Sequence, residues 1–397
     1  MEFKILPFLL EEGSCLNQED RKNLREMYEE QGEAAWQRVA GDELLDERRL
    51  KRVAYTHDEL VEQPDKIRES LSVERMAIKK IAQQVCERKI EHIYMVGCGD
   101  SIASLRGARY FMEKVLCIPC EEAEALDFTY YNSNTVNEHT LVITLSSSGE
   151  TIRVVEALLV ARSHGAQTLA LSNSQQSALM REASASILIH AERKGWPTQS
   201  STSAMALVLQ LTIEMAAYMG CSKAEVERYQ VELDAIPELM EKVIRDCEPK
   251  IKKLAADLVN KPMYLFAGGG PSFTCAEYGC AKVKESTPCY ALAIPLEEYH
   301  HYNSQKENDP LFLIAPPGAT TNRALDTIWT CKSLGGRVIV LTTADQEILI
   351  NEADDFILIP DTPEYFSMFL YAIPVQMFGF YLSEEQVRLE KERLNLV

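Results

Sequence analysis

Positive charge is scarce in this chain: 41 lysines and arginines stand against 60 aspartates and glutamates, a formal net charge of −19. Such a surface repels nucleic acid and anionic membranes at long range, so neither is expected as a partner. An anionic ligand would need a local cradle of neutral donors or a few fixed cations. Long apolar runs are also wanting, and no stretch is read as reaching the length of a membrane span. The apolar residues 5–10 follow Glu2 rather than a basic cluster and meet no small-residue cleavage site, so no signal peptide is expected. Glycine and proline are too few for a low-complexity chain, and 46% hydrophobic with 25% charged residues is the balance of a globular one. The eleven cysteines, mostly inside predicted strands and helices, suit a reducing compartment, the cytoplasm. Cys117-Ile118-Pro119-Cys120 has no second pair to complete a zinc site, so these are read as ordinary buried thiols and no metal is expected.

What is present is a pattern told twice. Residues 17–90 read as helices, with Asn17 as an N-cap, Thr56-His57-Asp58-Glu59 as a capping box, and an amphipathic run over 75–88. Short apolar strands are then predicted at 92–96, 141–145, 168–171 and 186–190, alternating with helices at 101–115, 151–164 and 201–218. Strands buried on both faces read this way, and the alternation predicts an α/β sandwich with a parallel sheet. Residues 223–259 read as charged helix. Strands restart at 263–267, 311–315, 338–342 and 356–359.

The restart is a repeat. Val96-Gly97-Cys98-Gly99-Asp100-Ser101 corresponds to Ala267-Gly268-Gly269-Gly270-Pro271-Ser272, and Ser148-Gly149-Glu150-Thr151 to Pro317-Gly318-Ala319-Thr320. The offsets, 171 from Ser101 to Ser272 and 169 from Gly149 to Gly318, nearly agree, which predicts a duplicated domain. The division read from this is an N-terminal helical extension (1–88), a first α/β domain (89–222), connecting helices (223–260), a second α/β domain (261–384) and a C-terminal helical tail (385–397).

Thr144-Leu145-Ser146-Ser147-Ser148-Gly149-Glu150-Thr151 joins a buried strand to a helix. Amide groups and the positive dipole end at a helix N-terminus favour an anion, and hydroxyls add neutral donors. That is the cradle an acidic protein needs, although serines in this place also serve simply as caps. The Gly97–Ser101 turn is not GxGxxG and has no suitably placed acidic partner for a ribose, so a dinucleotide cofactor is not expected. In the second copy Ala315-Pro316-Pro317 replaces the serines, which predicts one phosphate site per chain.

The two turns together resemble the signature of sugar isomerase (SIS) domain proteins, which include the isomerase half of glucosamine-6-phosphate synthase and the fructosamine-6-phosphate deglycases. Glu59-Leu60-Val61-Glu62-Gln63-Pro64 resembles the helix before the first SIS domain, and the likeness covers about residues 55–384. It implies an α/β fold of two tandem SIS domains, each a flavodoxin-like parallel sheet flanked by helices. It also implies that Ser101, Ser146, Ser147, Ser148, Thr151, Ser201 and Thr202 bind the phosphate and sugar. Lys282-Val283-Lys284-Glu285 and Glu297-Glu298-Tyr299-His300-His301 resemble the catalytic segments, with Glu285 and His301 sixteen residues apart. The resemblance implies Glu285 for C1–C2 proton transfer and His301, with His300 the alternative, for ring opening. Glu297 stands where the family has glycine, and Tyr302-Asn303 where it has Gly-Pro, which leaves the substrate open. No cofactor is implied, and the family's habit of sharing sites implies a homodimer or higher homo-oligomer.

Deglycase, aldose–ketose isomerase and deaminase all share this core. The deglycase reading is favoured because it does not require the near-terminal lysine of the synthases, for which Lys391 is a poor counterpart. Amidotransfer is not expected, since position 2 is Glu2 and no glutaminase segment is present. A sugar-phosphate sensor is the remaining class, and the acidic N-terminal region argues against the DNA-binding helices such regulators carry.

Overall fold

The computed structural model describes residues 7–35 and 43–396. Three helices come first, α1 (Gln18–Ala35), α2 (Glu47–Val61) and α3 (Gln63–Cys86). The first α/β unit runs β1 (His92–Gly97), α4 (Asp100–Leu116), β2 (Cys120–Glu124), α5 (Ala125–Asp127), β3 (Thr140–Leu145), α6 (Ile152–Ser163), β4 (Gln167–Ser172), α7 (Ala178–Glu182), β5 (Ala185–Leu188) and α8 (Gln199–Tyr218). Helix α9 (Lys223–Leu258) leads to the second unit: β6 (Met263–Gly268), α10 (Phe273–Ser286), β7 (Tyr290–Pro295), β8 (Pro310–Ile314), α11 (Thr321–Ser333), β9 (Arg337–Thr342), α12 (Glu347–Glu352), β10 (Asp355–Leu358) and α13 (Glu364–Arg393).

Each unit folds its strands into one parallel sheet, ordered β2-β1-β3-β4-β5 in the first and, in the same sense, β7-β6-β8-β9-β10 in the second. The order reverses direction between β1 and β3, and between β6 and β8, and such a switch leaves a crevice at the carboxyl ends of the strands. Inner strands β3 and β4 are buried along their whole length, which is why they read as continuous apolar runs. Edge strand β7 alternates exposed and buried residues and escaped the sequence reading.

The two copies meet through α4 and α10. Thr274 Oγ1 donates to the Ala103 carbonyl at 2.9 Å, and Arg106 pairs with Glu277. Both pairs lie 171 residues apart, the offset of the repeated turns, so equivalent positions touch as across a local two-fold axis. Ser104 and Tyr278 share a buried hydrogen bond of 2.7 Å in the same seam.

Four sequence expectations need correction. Helix α13 is long and apolar enough to cross a membrane by length and composition, because residues 365–383 carry no charge. Within that window 94% is buried inside the protein, so it is the core helix of the second copy. This helix also runs unbroken through residue 384, where a separate tail was drawn. Thr56 does not cap a helix: α2 starts ten residues earlier with Asp46 as its N-cap, and Thr56 donates back to the Arg52 carbonyl at 2.9 Å. By contrast, Asn17 does cap α1, its Oδ1 accepting from the Asp20 amide at 2.9 Å. Cys120 is buried, but Cys117 is exposed and closes α4 in a left-handed conformation. Residues 1–6, part of the stretch weighed as a signal peptide, lie outside the described residues.

Candidate active site

The crevice at the carboxyl end of the first sheet holds a cavity of about 200 Å³. Its floor is the turn after β3. Ser146 Oγ stands 2.9 Å from Thr151 Oγ1 and accepts from the Gly149 amide at 3.1 Å, while Ser147 Oγ accepts from Asn173 Nδ2 at 3.1 Å. Gly149 has φ +70°, and a Cβ there would lie 2.3 Å from the Ser177 Cβ, so only glycine lets the turn close. Hydroxyls and the start of α6 thus converge on one place, a set of neutral donors of the kind that suits an anion.

The first-copy turn after β1 forms the next wall, with Cys98, Gly99, Asp100 and Ser101. The Cys98 thiol donates to Glu124 at 3.1 Å; burial and that carboxylate push it up to about 12, so it stays protonated and is no nucleophile.

The third wall is Glu285, contributed by the other copy, with Lys282 buried behind it. Lys282, fully buried on α10, reaches across the seam to Asp100 Oδ2 at 2.7 Å and also holds Glu285 Oε2 one turn along its own helix. Burial pulls the Lys282 ammonium down, but Asp100 and Glu285 more than reverse this and keep it charged. Burial raises the Glu285 carboxyl above the usual carboxylate range; Lys282 counters that and Asp100 adds to it. A carboxylate so held gives up its charge more readily than a solvated one, which suits a group that takes and returns a proton.

Arg52 from α2 and Arg193 and Trp196 from the segment after β5 complete the lining. The Arg52 guanidinium sits over the Trp196 ring at 4.7 Å. Helix α2 also fixes that segment: the Glu59 carboxylate accepts from the amides of Lys194 and Gly195, and Thr56 Oγ1 accepts from the Trp196 amide at 2.8 Å.

Of the residues singled out from sequence, Ser101, Ser146, Ser147, Thr151 and Glu285 are brought together around this cavity, and Ser148 lines an adjoining groove. Ser201 and Thr202 are not in the lining. Both are buried at the start of α8, where the Thr202 hydroxyl donates to Gln63 Oε1 at 3.0 Å. His301 lies outside the cavity, its side chain 59% exposed and 3.2 Å from Glu297. His300 is bonded to Thr327 Oγ1 at 3.0 Å, and burial lowers its pKa. Lys391 lies in the last turn of α13, away from the lining. Asp100 and Lys282 fall inside sequence motifs that assign them no role, and Arg52, Arg193 and Trp196 lie in no motif. No cluster of three or more histidine, cysteine or carboxylate side chains able to hold a metal occurs among the described residues.

A pair of doubly wound parallel sheets with a hydroxyl-lined turn at one switch point defines a protein of the α/β class. The chain belongs to the SIS domain family, which matches residues 88–219 and 257–383. It is 30% identical over 331 residues to the glutamine–fructose-6-phosphate aminotransferase (isomerizing) of Methanothermobacter thermautotrophicus, covering 83% of this chain and 54% of that protein. The chain spans about half the length of the curated relatives it matches. Among solved structures, the C-terminal domain of glucosamine-fructose-6-phosphate aminotransferase from Francisella tularensis superposes with a TM-score of 0.77 at 21% identity, covering 84% of this chain and 96% of that one. Tagatose-6-phosphate ketose/aldose isomerase from Escherichia coli gives 0.71 at 16%, covering 84% and 93%. At those identities the two structures speak for the fold alone.

Proposed function

We propose that this chain is an enzyme acting on 6-phosphorylated ketosamines, a deglycase that releases a sugar 6-phosphate and an amine. The observation that carries the reading is the Asp100–Lys282–Glu285 array, set by the second copy against the hydroxyl cradle of the first. The cradle would hold the 6-phosphate through Ser146, Ser147 and Thr151, with Ser101 on the sugar. Glu285 would take the proton from C1 of the open-chain ketosamine, and the C1–H electron pair would form the C1–C2 double bond. Returning a proton to C2 leaves a C1 imine; water then adds at C1 and the amine departs. Lys282, buried behind the lining and kept charged by its two carboxylates, would hold Glu285 in place for the proton transfer.

Ring opening is assigned to His301, whose exposure outside the cavity of its own chain supports a shared site. The reading therefore includes a homodimer in which the partner subunit's His301 reaches the cavity. Eleven cysteines without a disulfide support placing the enzyme in the cytoplasm.

The test is to incubate the purified chain with fructosamine 6-phosphates and follow free amine and glucose 6-phosphate. Stoichiometric release of both is the expected result. Interconversion of hexose 6-phosphates without turnover of any ketosamine would replace the deglycase with an isomerase. Binding of sugar phosphates without any turnover would leave a sensor.

A further inference from the structure

Beyond the cradle the cavity is continued by a wider groove of about 620 Å³, and Arg52, Ser147 and Arg193 line both spaces. The groove adds Ser148, Asn173, Ala191, Glu192, Lys194 and Gly195. A sugar phosphate seated in the smaller cavity would leave this space for whatever is bonded to C1. The groove is cationic in a protein that is otherwise strongly acidic. Lys194 is neutralised by Glu192, but neither Arg52 nor Arg193 has a carboxylate within 4.0 Å among the described residues. Burial disfavours the charge on Arg52 most, Glu285 offsets part of that, and Arg193 lies close enough to oppose it. Two like charges side by side with no ion-paired carboxylate repel one another, and an anion between them relieves that repulsion. Arg52 is held for this place by its stack on Trp196, and the segment carrying Arg193 is pinned by Glu59.

We infer that Arg52 and Arg193 form a second anion subsite, which selects ketosamine phosphates whose amine half carries a carboxylate. The inference rests on the deglycase reading for the identity of the sugar half. A planar guanidinium suits a carboxylate, which it can grip with two parallel hydrogen bonds. The rival use of the same arginines is a second grip on the 6-phosphate, and the experiment separates the two.

Two fructosamine 6-phosphates are compared, one made from β-alanine and one from n-propylamine, which differ only in the carboxylate. For the wild type kcat/KM should favour the carboxylate substrate by ~10-fold or more. Arg52→Gln and Arg193→Gln should each cut that ratio by ~10-fold, and Arg52→Lys, which keeps the charge, should retain part of it. Thermal melting checks that each variant is folded. A wild-type ratio near one overturns the inference. So does an equal loss for both substrates together with weaker inhibition by fructose 6-phosphate, which would assign the arginines to the phosphate. If neither compound is turned over the deglycase reading fails, and calorimetric binding of the same two compounds then decides the subsite by the same ratio.

Discussion

The two copies share a frame and differ in what they do with it. Gly97 and Gly268, 171 residues apart, both lie where a Cβ would run into the backbone of the following helix start, at 2.9 and 2.7 Å. Gly99 and Gly270 share φ +55°, and Gly165 and Gly335 both stand in the left-handed region. The backbone of the repeat has kept its demands. The side chains have not. Where the first turn has Ser146, Ser147 and Ser148, the second has Ala315, Pro316 and Pro317, and the Glu364 carboxyl lies against Gly318, where a Cβ would be 2.5 Å away. A carboxylate there would repel an anion of the kind proposed for the first turn.

The reverse holds across the seam. By the same offset Lys282, Glu285 and Asp100 correspond to Phe111, Lys114 and Pro271. Phe111 is fully buried and packs with Tyr229, Tyr365 and Phe366, and Lys114 lies over the Tyr365 ring at 4.6 Å. One half-site has become an aromatic core and the other a charged pocket. Duplication supplied two crevices; the first copy gives one of them its hydroxyl-lined turn, and the second gives that same crevice Glu285.

The comparison can be broken at the cradle. Ser146→Ala with Thr151→Ala should weaken sugar 6-phosphate binding by at least ~10², since each lost hydrogen bond to a charged group is worth roughly 1.5–3 kcal/mol. Thr320→Ala with Thr321→Ala, in the second turn, should leave the affinity where it was. Calorimetry that found equal losses in the two turns would erase the distinction between the copies. A smaller effect sharpens it at the glycines. Gly149→Ala puts a Cβ against the Ser177 Cβ in a left-handed backbone and should cost about 1–3 kcal/mol. Gly318→Ala meets only the far end of the Glu364 side chain, which can turn away, so its cost in a denaturation experiment should be within ~0.5 kcal/mol of zero.

The duplication was legible in the sequence because its landmarks are glycines and a strand-to-helix turn, features that local geometry dictates. Inner strands were legible for the same kind of reason, being buried on both faces. Edge strand β7 was not, since Tyr290 and Leu292 are exposed and the alternating stretch Tyr290-Ala291-Leu292-Ala293 has the polarity of neither an inner strand nor a loop. Thr56 and Glu59 mimicked a capping box because both face inward, onto the segment that carries Arg193 and Trp196. Their spacing records a tertiary contact, which the residues alone cannot distinguish from a helix start. Arg52 gave no signal: it is one of several basic residues on α2, and only the fold puts it beside the cavity. The Asp100–Lys282 bridge spans 182 residues and depends on the packing of α4 against α10, which no local pattern encodes.

The account stands or falls on Glu285 acting at a cradle it does not share a domain with. Solvent deuterium incorporation into C1 of recovered fructosamine 6-phosphate and into C2 of the glucose 6-phosphate released, read by mass spectrometry alongside calorimetric binding, tests this directly. Glu285→Gln keeps the shape of the side chain but cannot accept the proton. The variant should bind the substrate with similar affinity while incorporation falls by at least ~10² relative to the wild type. Incorporation at an unchanged rate in Glu285→Gln would contradict the account and leave α10 a purely structural partner of the first copy.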